Sequence, residues 1–122
     1  MTRDTVTTGK LAEDFAVRCL MSGGIEVLDR NYRIRTGEID IISRENRMLV
    51  FTEVKYRKNR KHGNPCEAVD REKQRRISRT ALHYLTASGC TDCPVRFDVI
   101  EVTGPPECLK ARRIRGAFEY CG

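Results

Sequence analysis

A chain of 122 residues, 39% hydrophobic and 33% charged, is sized for one domain with a modest core, here expected to span 1–122. Its 23 Lys and Arg against 17 Asp and Glu leave a net charge of +6, and the lack of Trp with only 7% aromatics argues against large stacking surfaces. No apolar run could span a membrane, Met1 to Lys10 carry no signal-peptide centre, and collagen, coiled coil and disorder are excluded, so a small, soluble, basic, cytoplasmic domain is expected.

Thr8 to Ser22 reads as a helix, because Leu11, Phe15 and Cys19 recur every four residues beside Ala12, Ala16 and Leu20. Thr7 or Thr8 can cap its start, and Gly23-Gly24 stops it. Ile25 to Leu28 is a short strand. Arg33 to Ser43 and Met48 to Tyr56 are two more, joined by a turn at Arg44-Glu45-Asn46-Arg47. Lys58 to Pro65, polar and basic around Gly63, reads as a loop. A second helix opens on Asp70 as N-cap, buries Ile77, Ala81, Tyr84 and Leu85, and ends at Gly89. Val95 to Thr103 is a strand with two buried faces, broken by Gly104-Pro105-Pro106, and Lys110 to Phe118 is a last strand or a strand running into a turn. The order predicts an α/β fold whose mixed central sheet is flanked by helices.

The positive charge is concentrated. Lys55 to Arg79 holds ten Lys or Arg against Glu67, Asp70 and Glu72, a local charge of +7 that leaves the other 97 residues at −1. Such a segment has the footprint of a nucleic-acid or phosphate surface, although a solvated helix face would read the same in isolation. Six cysteines are expected to be thiols. Cys19 is expected to pack as a small hydrophobe, and Cys90-x-x-Cys93 follows a helix end where a redox pair would open one. No second close pair among Cys66, Cys108 and Cys121 completes a zinc site, and His62 and His83 have no partner spacing.

The chemically informative stretch is Gly37-Glu38-Ile39-Asp40, followed by Glu53-Val54-Lys55. Alternation puts Glu53 and Lys55 on one strand face. If the hairpin closes with Arg44 opposite Arg47, Asp40 lies opposite Phe51 and diagonal to Glu53, ~7–8 Å away, a gap that a metal ion can bridge. Two carboxylates offer hard oxygen ligands for Mg²⁺ or Mn²⁺, and a neighbouring Lys55 can stabilise charge developing on a phosphate or orient water. An exposed strand with a cross-strand ion pair would carry the same short pattern. Here, however, Asp40 sits among Ile39, Ile41 and Ile42, and Glu53 among Leu49, Val50, Phe51 and Val54, where an unpartnered acid is costly.

These residues make the chain resemble the YraN family of small bacterial proteins, which have the restriction-endonuclease-like PD-(D/E)xK fold. The likeness runs through Gly9-x-x-Ala12-Glu13, Asn31-Tyr32-Arg33, Gly37-Glu38-Ile39-Asp40-Ile41-Ile42 and Val50 to Arg57. It continues in Gly63-Asn64-Pro65, Lys73-Gln74, Arg96-Phe97-Asp98-Val99 and Ala117-Phe118. The placing of Glu13, Asp40, Glu53 and Lys55 is also similar to that of archaeal Holliday-junction resolvases. The resemblance implies that Asp40 and Glu53 are metal ligands, Lys55 a catalytic lysine, and Glu13 a further acid from the first helix. Gln74 and Tyr84 are ten apart and do not match the Gln-x-x-x-Tyr element of RecB-type relatives, although Gln74 could line the site.

The expectation is a Mg²⁺- or Mn²⁺-dependent endonuclease acting on DNA, branched or structured substrates included. Arg57, Lys58, Arg60, Lys61, Lys73, Gln74, Arg75 and Arg76 are expected to bind the nucleic acid. The alternatives are a non-catalytic nucleic-acid-binding module on the same fold and a protein-interaction domain with an inert acidic cluster. A domain this small has little room for a separate reader, so a homodimer or partner protein would supply the second half of a duplex site.

Overall fold

The computed structural model describes residues 2–57, 69–90 and 92–121, with side chains from residue 9 onward. Helix α1 (Thr2–Ser22) precedes three strands, β1 (Glu26–Ile34), β2 (Gly37–Glu45) and β3 (Met48–Arg57). Helix α2 (Arg71–Ser88) leads to β4 (Val95–Thr103) and β5 (Lys110–Phe118). The sheet keeps chain order, β1-β2-β3-β4-β5. All neighbours are antiparallel except β3 and β4, which run parallel. A parallel pair needs a crossover, and the crossover here carries α2. The expected α/β architecture with a mixed sheet and two helices is therefore present.

The two helices cover opposite faces. On one, Ala12, Ala16, Val17 and Leu20 of α1 pack on Ile41, Ile100 and Val102. On the other, Ile77 and Ala81 of α2 pack on Ile39, Ile42, Phe51, Phe97 and Val99. Val99 and Ile100 are chain neighbours in different clusters, as strand alternation requires. No helix among the described residues is long and apolar enough to cross a membrane.

Several expected details change. Helix α1 starts at Thr2, so Thr7 and Thr8 lie inside it and do not cap it. Its buried stripe is Ala12, Ala16, Val17 and Leu20, while Leu11 and Cys19 are exposed. Small residues on the buried side let the helix lie close to the sheet, which turns the neighbouring stripe, Cys19 included, toward water. The stop is as expected, with Gly24 at φ 81°.

The stretch expected as one strand from Arg33 to Ser43 is two. Arg33 and Ile34 end β1, Arg35 and Thr36 form a turn, and β2 begins at Gly37. Strand β1 is an edge strand whose outward positions, Asp29 and Asn31 among them, are exposed, so polar residues conceal its length. His83 is not incidental: the Tyr32 hydroxyl and His83 Nδ1 share a 2.7 Å hydrogen bond that ties β1 to α2. Cys90 and Cys93, expected as thiols, are joined as a disulfide, their Cα atoms 5.8 Å apart. Helix α2 follows its signals closely. Asp70 accepts from the Lys73 amide at 2.8 Å, and Gly89 takes the left-handed conformation at φ 74°.

Candidate functional site

The β2–β3 hairpin closes with Glu45 opposite Met48 and Asn46 at φ 59° in a two-residue turn, not with Arg44 opposite Arg47. The register therefore moves by two residues, and Ile41 faces Thr52. An even shift keeps the paired side chains from Ile41 to Glu45 on their expected faces. Continued by one rung, that register would exchange the diagonal relation of Asp40 and Glu53 for direct opposition. There the backbone ladder gives way, and the Val54 amide donates to Asp40 Oδ2 at 2.8 Å. Alternation in β2 slips at the same point, since Ile39 packs beneath α2 and Ile41 beneath α1.

Burial pushes the Asp40 carboxyl up to about 8, and the charge of neighbouring Glu53 and then Glu13 adds to the effect against the Val54 amide. The Asp40 and Glu53 carboxyls are within hydrogen-bonding reach of each other, so Asp40 tends to keep its proton at neutral pH. Glu53 is only 6% exposed, and its Oε2 lies 2.5 Å from Lys73 Nζ on α2. Burial works against the charge on Lys73, but the Glu53 carboxylate outweighs it and holds the ammonium above its usual pKa. Glu13 reaches the same cleft from α1. Burial raises its pKa, opposed by Arg30, whose Nη2 is 3.9 Å away.

Lys55 lines the cleft on the Glu53 side and, among the described residues, has no hydrogen bond or ion pair. The cleft measures about 970 Å³ and is walled by Gly9, Ala12 and Glu13 of α1, residues 33–38 of the β1–β2 hairpin, residues 53–56 of β3, and Lys73, Arg76 and Arg79 of α2. The four expected chemical residues, Glu13, Asp40, Glu53 and Lys55, thus meet in one place.

The expected nucleic-acid-binding residues divide. Lys73 and Arg76 line the cleft, the latter bonded to Glu72 at 2.8 Å. Gln74 does not: its Nε2 donates to the Val69 carbonyl at 3.0 Å and closes the start of α2. Arg75 is exposed and outside the cleft lining. Arg57 is turned to Glu101 at 3.2 Å, also outside the lining. Lys58, Arg60, Lys61, Cys66 and His62 lie outside the described residues. Three cations of the wall were not in the expected set: Arg33, Arg35 and Arg79. Arg33 and Arg35 went unseen because one continuous strand was expected where the hairpin turns.

Among the described residues, no three His, Cys, Asp or Glu side chains converge as a ready metal-ligand set. The adjacent Asp40 and Glu53 carboxyls nevertheless suit a hard divalent cation. They are oxygen donors held together at the cost of a retained proton and a lysine counter-charge, the two positive charges that such an ion would replace. Mg²⁺ is commonly held by one or two carboxylates with water completing its shell.

The sequence profile described as Uncharacterised protein family UPF0102 matches residues 12–102. The chain is 45% identical to a UPF0102 protein of Symbiobacterium thermophilum over 111 residues, 90% of this chain and 94% of that one. It is likewise 45% identical to one of Syntrophus aciditrophicus, over 92% of this chain and 88% of the relative. With one of Syntrophotalea carbinolica it shares 41% identity over 122 residues, 100% of this chain and 99% of the relative.

Proposed function

We propose that this chain, which belongs to the UPF0102 (YraN-like) family, is a divalent-metal-dependent nuclease of restriction-endonuclease-like, PD-(D/E)xK architecture that hydrolyses phosphodiester bonds of DNA. The observation that carries the reading is the adjacent carboxyl pair, Asp40 and Glu53, in one cleft with Lys55, which has no ion pair among the described residues. A half-buried and a buried acid set beside each other have no packing benefit to offer the fold, so their juxtaposition is better explained by chemistry than by stability. The relatives' names give no activity, and the likeness to archaeal Holliday-junction resolvases belongs to this proposal alone.

Asp40 and Glu53 would hold Mg²⁺ or Mn²⁺, which when bound supplies Lewis acidity toward a phosphate oxygen and a more acidic water. The chain does the rest. The Val54 amide fixes the orientation of the Asp40 carboxyl. Lys73 holds the Glu53 carboxylate in place before the cation arrives. Lys55 Nζ sits where it can neutralise charge that develops as a water oxygen bonds to phosphorus and the ester oxygen leaves with a proton. Glu13, whose carboxyl burial pushes above its ordinary pKa against the pull of Arg30, would accept or return a proton from the third side of the cleft.

Incubation with linear and junction DNA and Mg²⁺ or Mn²⁺ tests the proposal. Metal-dependent cleavage is expected, lost in Glu53→Ala and reduced on the order of 10²–10³-fold in Lys55→Ala. Absence of cleavage, or cleavage indifferent to Glu53→Ala, overturns it. A second reading, a non-catalytic nucleic-acid-binding module, is favoured by the Glu53–Lys73 ion pair, which neutralises an acid that would repel a phosphate. It requires salt-sensitive DNA binding without cleavage and without dependence on metal. A cytoplasmic site of action and a homodimer on duplex DNA complete the proposal.

A further inference from the structure

Six cations line the cleft, and half of them are already committed. Arg33 Nη2 is 2.7 Å from Glu38, Lys73 Nζ 2.5 Å from Glu53, and Arg76 Nη2 2.8 Å from Glu72. The other three, Lys55, Arg35 and Arg79, have no acidic partner among the described residues. Lys55 stands beside the two carboxyls. Arg35 and Arg79 come from two different elements, the β1–β2 turn and the exposed side of α2.

Their proximity is built into the fold. Gly37, directly after the turn, lies so close to α2 that a Cβ there would stand 2.5 Å from Thr80 Oγ1 and 3.1 Å from the Arg76 carbonyl. Thr80 is fully buried and its hydroxyl is bonded back to that carbonyl at 2.8 Å. The hairpin tip is therefore seated on the turn of α2 that bears Arg76 and Arg79, and Arg35 is carried to the same wall. Two guanidiniums without an acidic partner among the described residues thus line a cleft whose volume, about 970 Å³, is at the upper end of the ~300–1,000 Å³ typical of small-ligand sites. One phosphodiester at Lys55 would leave most of that space open.

We infer that Arg35 and Arg79 form a second phosphate subsite, which grips a backbone phosphate flanking the one presented to Lys55. The cleft then takes a polynucleotide strand and not an isolated phosphodiester. Guanidinium forks suit phosphate oxygens, and such interactions set the position of the strand without reading its bases. The inference rests on the nuclease reading for its ligand, but its test does not depend on cleavage.

Binding of a fluorescein-labelled DNA duplex is measured by anisotropy in EDTA across a range of salt. Removing one cation from a backbone phosphate lowers the slope of log affinity against log salt by ~0.9, so Arg35→Ala/Arg79→Ala is expected to lower it by ~1.8. Lys110→Ala/Arg112→Ala, which removes the same charge from exposed positions on β5, is expected to leave it unchanged. Both altered arginines are exposed, so the variant should fold, and an unchanged circular dichroism melt checks this. Hydrolysis of bis(p-nitrophenyl) phosphate with Mn²⁺, a diester with no flanking phosphate, should survive in Arg35→Ala/Arg79→Ala and be lost in Glu53→Ala. An unchanged salt slope in the arginine variant overturns the subsite, as does a wild-type protein that does not bind DNA. Polyglutamate competing as well as unlabelled DNA would also overturn it, assigning the wall to an acidic protein. A lowered slope with no hydrolysis of either substrate supports the subsite and overturns the nuclease instead.

Discussion

Asp40 sets a pH window for the whole molecule. Its carboxyl ionises near 3.8 in the unfolded chain and at about 8 in the folded one, chiefly through burial and next through the charge of Glu53. A group whose folded pKa is raised stabilises the fold fully below its unfolded value, and that contribution is lost as pH rises through the folded value. The melting temperature in EDTA should therefore fall between about pH 4 and about pH 8. Asp14 and Glu45, held below the usual carboxylate range chiefly by Arg30 and Arg96, act in the opposite sense but only in more acid solution. Asp40→Asn should flatten the alkaline decline, and Mg²⁺ or Mn²⁺ should reverse it in the wild type, since a cation takes over the work of the proton. A melting temperature that stays level from pH 5 to 8 without metal would contradict the burial of this acid. The sequence marked Asp40 and Glu53 as acids in apolar strands; their contact depends on a hairpin register that side-chain alternation alone left open by two residues.

At the scale of elements, the informative junction is the β1–β2 hairpin seated on α2. Gly37 is required there by close approach, because both atoms that a Cβ would meet are fixed, one of them backbone. Gly37→Val should cost about 1–3 kcal/mol of stability, as overpacking commonly does, and should move Arg35 away from Arg79. Urea denaturation measures the loss, and in a Gly37→Ala background Thr80→Ala should recover part of it by removing the hydroxyl that is struck. Additive effects of the two substitutions would show that the hairpin is not pressed on the helix. Elements with strong local signals were legible: α2 between Asp70 and Gly89, β3, and β4 with its two apolar faces. The β1–β2 boundary was not, because an edge strand leaves one row of side chains in water and so tolerates Asp29, Arg30 and Asn31 inside it. The start of α1 was missed for a related reason, since Thr2 to Thr7 carry no apolar stripe.

The whole sheet is held by two arrangements at some distance from the cleft. Phe51, Phe97 and Phe118 stack across β3, β4 and β5, with ring centroids 5.7 Å and 5.0 Å apart. On the opposite face, Asp98, 1% exposed, accepts from Arg96 Nε and Nη2 at 2.8 Å, from Arg113 Nε at 3.4 Å and from the Gly116 amide at 3.0 Å. Arg96, Arg113 and Arg115 also reach Glu45, so the β2–β3 turn is tied to β4 and β5. Asp98→Ala should cost about 3–5 kcal/mol, because it leaves half-buried guanidiniums without their shared acceptor, whereas Asp98→Asn should cost less. Chemical denaturation would reveal a structural loss with the cleft chemistry intact, and a change below about 1 kcal/mol would count against the network. Two properties were legible in the sequence itself: the order of helices and strands, which follows from local periodicity and capping, and the unusual setting of Asp40 and Glu53, acids in apolar strands. Tertiary structure alone decided which cations face the cleft. Strand and helix signals are local, but whether Arg57 turns to Glu101, Gln74 to Val69, or Arg35 lines the cleft depends on what the fold places opposite each side chain. The +7 segment includes the cleft-lining Lys73, Arg76 and Arg79 of α2, yet it could not show that Arg33 and Arg35 reach the same cleft from a hairpin far earlier in the chain.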